Sequence, residues 1–457
     1  MHLLHQAHNG NFSYGESGAT AEAALAGTAS LATTLDSSVT FRARDRSNGA
    51  PAAAVQRGSS GVSRLAEMRA QASHLVSLSR GARALVVRGV WHEATVAVKL
   101  NCIRPNYFRP DLLLEGPLSK SLRAPNVVET FDYSVTQLTL EEMREVQAAD
   151  DALANDRGRY SRASSGWGLL REDSLLGCMA TGGHPDVHDP DDFCGPANAH
   201  QEAGYPLTYS DALALVGAAP GGFLTQIIME FCDQGSLSDH VARGAYGQAA
   251  LGNRVALFGY LRTLHDVAAG MSYLHSNGVV HGALFPANIL LCSSRGDSRG
   301  YVAKVSGFGM SGLASSPSRG GPLPVALPGI SNDPWLVPFL APEQLEGAAV
   351  QASDVWSFAV MAHNMWTGVE PYSLLVPAVG PDGSPALLAY GPRCHVSNVP
   401  AGVCDGSLRL TPPGGMPKPL WRMLGACLQH DWRRRPAFPQ VRAVLRELEA
   451  SLCGVKE

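Results

Sequence analysis

The stretch HGALFPANILL, His281 to Leu291, joins a loop punctuated by glycine and proline to an apolar run that enters a strand. It carries one amide, Asn288, and no acidic or basic side chain apart from His281. Upstream, Arg254 to His275 places Val255, Phe258, Leu261, Leu264, Ala268, Met271 and Leu274 at helical spacing and closes at Gly278. That pattern predicts a buried helix of about six turns. Downstream lies KVSGFGMS, Lys304 to Ser311. Between Asp266 and Asp333 the sole acidic residue is Asp297, in the turn-like SRGDSRG. A polar loop so poor in carboxylates has little with which to move protons or hold a hard cation.

The 457 residues suffice for two or three domains, and 45% hydrophobic with 17% charged residues suits a globular core. A net charge of -4 with interspersed signs offers no basic footprint for nucleic acid and no polybasic segment for a membrane. The sequence has no run of 18 or more apolar residues, and its start, MHLLHQAHNG, lacks the layout of a secretory signal. An intracellular, cytoplasmic protein is expected. Its nine scattered cysteines suit reduced thiols better than a disulfide framework.

Residues 1–60 are rich in Ala, Gly, Ser and Thr without periodicity, which predicts a disordered tail. From His74 the runs HLVSLSRGARALVVRGVW and ATVAVKL predict three consecutive strands. In the third, Val96, Val98 and Leu100 share one face while Ala97 and Lys99 share the other. Residues 139–222 read as a low-complexity insertion. FLTQIIMEF, Phe223 to Phe231, is an apolar strand with a polar exit, and further helices are expected over Ser353 to Trp366 and Phe438 to Leu452. Strands first and helices second predict an α+β fold.

From about His74 to Cys453, outside the insertion, these segments resemble the protein kinase superfamily. HGALFPANILL is similar to the catalytic loop H-R-D-L-x-x-x-N, with Gly282 and Ala283 where the family has Arg and the catalytic-base Asp, Phe285 at the lysine position and Asn288 retained. KVSGFGMS resembles KVADFGLS, with Gly307 at the position of the metal-binding Asp. VAVK, Val96 to Lys99, resembles the strand whose lysine pairs with phosphates and with a helix glutamate, for which Glu115 is the best match. Pro117, just beyond, should kink or shorten that helix. SRGARALV stands where the glycine-rich loop belongs and keeps Gly81 and Val86, with Ser79 and Ala84 in place of the other glycines. IIMEFCDQGSL resembles the strand and hinge that hold adenine, with Met229 at the back of the pocket and Glu230 and Cys232 offering backbone groups. LAPEQ, SDVWSFAV and WRRRPAF match scaffold motifs, which implies a Glu343–Arg435 pair and hydrogen bonds from Asp354 to the catalytic-loop backbone.

The resemblance implies a two-lobed fold. A small antiparallel β-sheet N-lobe spans 74–229, interrupted by the insertion, and a mainly helical C-lobe spans 230–453. WHEATVAVKL, WTGVEPY and CLQHDWRRRP look most like the tyrosine-kinase-like group, which includes Raf-like serine/threonine kinases. With Ala283 and Gly307 at the two carboxylate positions no catalytic set is intact and no metal site is expected. The reading is a pseudokinase that acts in signalling by binding proteins, an active kinase among the candidates. ATP is an open expectation at Gly81, Val86, Ala97, Lys99, Glu115, Met229, Glu230, Cys232 and Asn288, without magnesium. The alternative is a weakly active ATP-dependent serine/threonine kinase that recruits Asp297 or a residue of the insertion. Ser311, Ser315, Ser316 and Ser318 lie in the activation segment, Gly307 to Glu343, without the arginine that would receive a phosphate. In the insertion, Cys178, His184, His188 and Cys194 are competent zinc ligands at a spacing that fits no standard site, so a disordered insertion is the better reading.

Overall fold

The computed structural model describes residues 63–81, 84–107, 110–156, 205–246, 253–313, 335–372 and 399–454, with the backbone of 378–379 and 385–386. The expected tail over 1–60 and the insertion's centre, with its four candidate zinc ligands, lie outside them. Among the described residues no cluster of three or more His, Cys, Asp or Glu could hold a metal, and the six described cysteines are free. No helix among them is long and apolar enough to cross a membrane.

Among the described residues the N-lobe starts with Ser63, ahead of the first strand that the sequence pattern suggested. Ser63 caps helix α1 (Arg64–Gln71), its hydroxyl accepting from Ala66 N. Strands β1 (Ser73–Arg80), β2 (Ala84–Trp91) and β3 (Ala94–Ile103) follow as a meander. Helix α2 (Glu115–Ser121) and β4 (Thr130–Gln137) lead to helix α3 (Leu140–Asp156). After 157–204 the chain returns through β5 (Pro206–Leu207), helix α4 (Tyr209–Leu215) and β6 (Phe223–Glu230). The six strands order as β4-β6-β3-β2-β1-β5, each pair antiparallel.

The two faces of β3 part as the alternation requires. Val96, Val98 and Leu100 are wholly buried under a cap made by α1, α3 and α4, which supplies Leu65, Met68, Val146, Tyr209 and Leu213. Ala97 and Lys99 face the other way. The ends of the 139–222 segment are therefore structural parts of the N-lobe, and β5 pairs with the edge strand β1 at Leu75 and Val76. Two buried polar groups fasten this cap. Asp150 accepts from Arg69 Nε at 2.7 Å and from Ser210 N and Oγ at 2.8 and 2.7 Å, so one carboxylate joins α1, α3 and α4. Gln226, wholly buried on β6, donates to Met68 O and Gln71 Oε1 and accepts from the Tyr209 hydroxyl. Replacing Asp150 by Ala strands Arg69 and Ser210 and should cost about 3 kcal/mol, read as a lower melting temperature. Adding Arg69→Ala to that variant should cost much less than it does alone, because its partner is already gone.

The C-lobe follows as helices α5 (Leu237–Ala242) and α6 (Arg254–Ser276), with Asn253 capping α6. Next come strands β7 (Val279–Val280), β8 (Ile289–Ser293), β9 (Tyr301–Val305) and β10 (Gly312–Leu313). It ends in helices α7 (Pro342–Leu345), α8 (Gln351–Thr367), α9 (Val399–Cys404), α10 (Lys418–Cys427) and α11 (Phe438–Cys453). α6 has the expected length, but Val255, one of its apolar positions, is 74% exposed because the first turn projects beyond the core. α8 is the buried centre, with Phe358 to Ala362 all at 0% exposure.

Candidate functional site

The site lies where β3, α2, β6 and the catalytic-loop segment converge. Lys99, on the face of β3 turned from the cap, reaches Glu115 Oε1 with its Nζ at 2.5 Å, and both side chains are largely buried. Glu115 opens α2, which runs only to Ser121. Pro117 sits in the first turn, where its missing N–H removes no helical bond, so the helix is short but not broken. Gly309 lies against this pair, since a Cβ there would stand 3.2 Å from Glu115 Oε2 and 3.7 Å from Lys99 Nζ.

β3 and β6 are in register at Ala97 and Met229, and β2 sets Val86 opposite Lys99. Gly81 donates its N–H to Ala84 O at 2.7 Å, closing the turn between β1 and β2. At the end of β6, Glu230 turns its carboxylate to Lys304 Nζ, 2.8 Å from each oxygen, tying the hinge to β9. Cys232 is buried, and burial together with the nearby Glu230 carboxylate pushes its thiol well up. It is therefore a neutral, unreactive group.

The loop from His281 to Asn288 is held by its backbone. Asp354, wholly buried on α8, accepts from His281 N and Gly282 N at 2.9 Å each and from His275 Nε2 at 2.8 Å. Gly282 has φ 77°, which glycine adopts without strain, and its carbonyl accepts from Gln344 Nε2. His281 donates Nε2–H to Ser306 O, leaving Nδ1 to accept from Ala283 N. Burial lowers the His281 pKa, consistent with this neutral tautomer. Glu343 and Arg435 form the expected buried pair, at 2.6 and 2.9 Å.

Where transfer chemistry would need a base, Ala283 is 4% exposed and packs with Leu336 and Leu340, with Phe285, Met310 and Leu345 around them. Where a metal ligand would stand, Gly307 has φ 82° and ψ 50°. A Cβ there would lie 2.6 Å from Asn288 Nδ2 and closer still to Cγ and Oδ1. Asn288 in turn donates Nδ2–H to Ala283 O at 2.8 Å. The carboxamide thus fills the volume that a side chain at 307 would need. Asp297 does not substitute for either carboxylate. It sits in the turn joining β8 to β9, beyond the far end of that ladder from Asn288, which is about 16 Å of strand away. There it is bound by Arg299, whose guanidinium also pairs with Asp266. Those Arg299 contacts hold its pKa below the usual carboxylate range.

Residues 207–445 match the family model described as protein tyrosine and serine/threonine kinase. The chain belongs to the protein kinase family. Among similar proteins, ephrin type-A receptor 1 of Homo sapiens is 30% identical over 234 residues, 49% of this chain and 19% of that protein. Ephrin type-A receptor 10 of Mus musculus is 28% identical over 296 residues, covering 61% and 25%. Tyrosine-protein kinase SRK3 of Spongilla lacustris is 25% identical over 272 residues, covering 58% and 67%. The chain thus spans about a fifth to a quarter of the length of these receptor relatives.

This kinase fold brings Lys99, Glu115, Ala97, Met229 and Val86 together as the resemblance implied. Sequence reasoning missed Lys304, which clamps Glu230, and the apolar trio of Met310, Leu336 and Leu340. None carries a local signal, because each partner lies tens of residues away.

Proposed function

We propose that this protein is a pseudokinase, acting in intracellular, cytoplasmic signalling by binding other proteins, an active kinase among them, and by holding ATP without magnesium. The observation that carries the reading is the transfer site itself, where Ala283 is packed under Leu336 and Leu340 and Gly307 is pressed against Asn288. Neither position can accept a proton or coordinate a cation. Asn288 donates its Nδ2–H to Ala283 O, which leaves only one neutral amide oxygen, a poor site by itself for a hard cation.

The retained Lys99–Glu115 pair favours nucleotide binding, since it leaves an ammonium beside the expected phosphate position. With no carboxylate at 283 or 307 there is less negative charge to oppose free phosphates, so a metal is not required to offset it. The Raf-like resemblance and the tyrosine-kinase names of the relatives both concern scaffold segments. Neither bears on a substrate. A weakly active serine/threonine kinase would need a recruited carboxylate, and Asp297 is committed elsewhere.

Thermal shift with ATP, in EDTA and in excess magnesium, tests the binding part. The melting temperature should rise with ATP in EDTA, and magnesium should not increase the rise. Lys99→Met should abolish it. A shift that appears only with magnesium would refute metal-independent binding, and no shift at millimolar ATP would leave a scaffold without nucleotide.

A further inference from the structure

Across the N-lobe sheet, Tyr133 on β4 stands opposite Ile227 on β6, and Ile227 stands opposite Lys99 on β3. Residues directly opposite one another share a face, so Tyr133 and Lys99 lie in one transverse row, two strands or about 9–10 Å apart, on the side where α2 packs. Both ends of that row meet the start of the same helix. Lys99 Nζ takes Glu115, and the Tyr133 side chain takes its neighbour Gly116.

The second contact is very close. A Cβ on the buried Gly116 would stand 2.9 Å from Tyr133 Cγ and Cδ2 and 3.0 Å from its Cβ, atoms at the root of the side chain that cannot swing aside. Glycine is a poor helix former, and alanine in its place would favour the helix. Its presence in the first turn of α2 therefore answers to packing rather than to helix formation. One turn on, Lys120 donates to Asp132 Oδ1 of β4 at 2.6 Å and lies 5.8 Å from the Tyr133 ring centroid, so the far end of the helix is fastened to the same strand.

We propose that Gly116 is a positioning residue of the Lys99 cleft. It lets α2 settle against Tyr133, and that seat sets the rotation and height of the helix at which Glu115 reaches Lys99. Gly116 acts through Glu115. The inference draws on the nucleotide reading only for its consequence, that the ammonium is held where a phosphate is expected.

The test follows Lys99 itself in the whole chain. Its rate of labelling by an amine-reactive ester is read by mass spectrometry, together with hydrogen exchange over 118–121. Gly116→Ala should keep its fold by circular dichroism, raise Lys99 labelling on the order of fivefold and speed the exchange of α2. The melting shift with ATP should shrink or vanish. Asp150→Ala, which weakens the N-lobe cap, should lower the melting temperature and leave Lys99 labelling unchanged. Tyr133→Ala adds no atom and should also raise the labelling, and in that background Gly116→Ala should add little, because most of its collision partner is gone. If Gly116→Ala misfolds, Tyr133→Ala decides by the same readout. Unchanged labelling and exchange in Gly116→Ala, with the extra stability that helix propensity alone would give, would overturn the proposal. So would an equal effect of Gly116→Ala with and without the Tyr133 ring, or an equal rise in labelling in Asp150→Ala. If ATP shifts nothing in the wild type, the nucleotide reading fails while the labelling still decides the seat.

Discussion

The double variant Ala283→Asp, Gly307→Asp should be strongly destabilised and should still transfer no phosphate. Restoring the two family carboxylates does not restore their surroundings. An aspartate at 283 would enter a site 4% exposed among Leu336, Leu340 and Phe285, where no cation waits for it. A buried carboxylate without a partner costs about 3–5 kcal/mol, or takes up a proton and ceases to be a base. At 307 the left-handed backbone suits aspartate better than most residues, yet its Cβ collides with the Asn288 carboxamide. Moving Asn288 breaks its bond to Ala283 O, and the overpacking adds about 1–3 kcal/mol. Against a total of about 5–15 kcal/mol, that loss should lower the melting temperature by more than about 10 °C. Differential scanning calorimetry of the single and double variants checks it. Near-native stability of the double variant would show that the loop has kept room for the lost groups.

Asp354→Ala should be equally damaging, through the scaffold. One wholly buried carboxylate accepts from His281 N, Gly282 N and His275 Nε2. Removing it leaves two backbone amides and an imidazole unsatisfied, each at about 1–3 kcal/mol. The expected loss is about 3–6 kcal/mol. Asp354→Asn keeps one acceptor oxygen and should lose clearly less. Denaturant titration of both variants gives the comparison, and an alanine variant within 1 kcal/mol of the wild type would mean that water takes over these donors.

The contrast between these two sites shows what could be read before the fold was known. Lys99 with Glu115, Glu343 with Arg435, and Asp354 with the loop amides lie in motifs whose order along the chain fixes their meeting, and all three meet as expected. The N-lobe cap was illegible for a physical reason. LEEMREVQAADDALAND buries few large apolar groups, Val146 foremost, and α1 offers only Leu65 and Met68, so both segments look like polar, alanine-rich filler. Their place is secured by Asp150 and Gln226, buried polar groups whose partners are up to 158 residues away. The packing of Leu336 and Leu340 over Ala283 is likewise a long-range contact with no local periodicity. Val255 erred the other way, since helical spacing places a residue on a face but not within reach of the core.

A pseudokinase keeps the fold and loses the transfer chemistry. Incubation of the purified protein with labelled ATP and magnesium, with and without a generic protein substrate, tests it most directly. No phosphate should be incorporated into either the chain or the substrate above the level seen with Lys99→Met. Incorporation by the wild type that Lys99→Met abolishes would contradict the account.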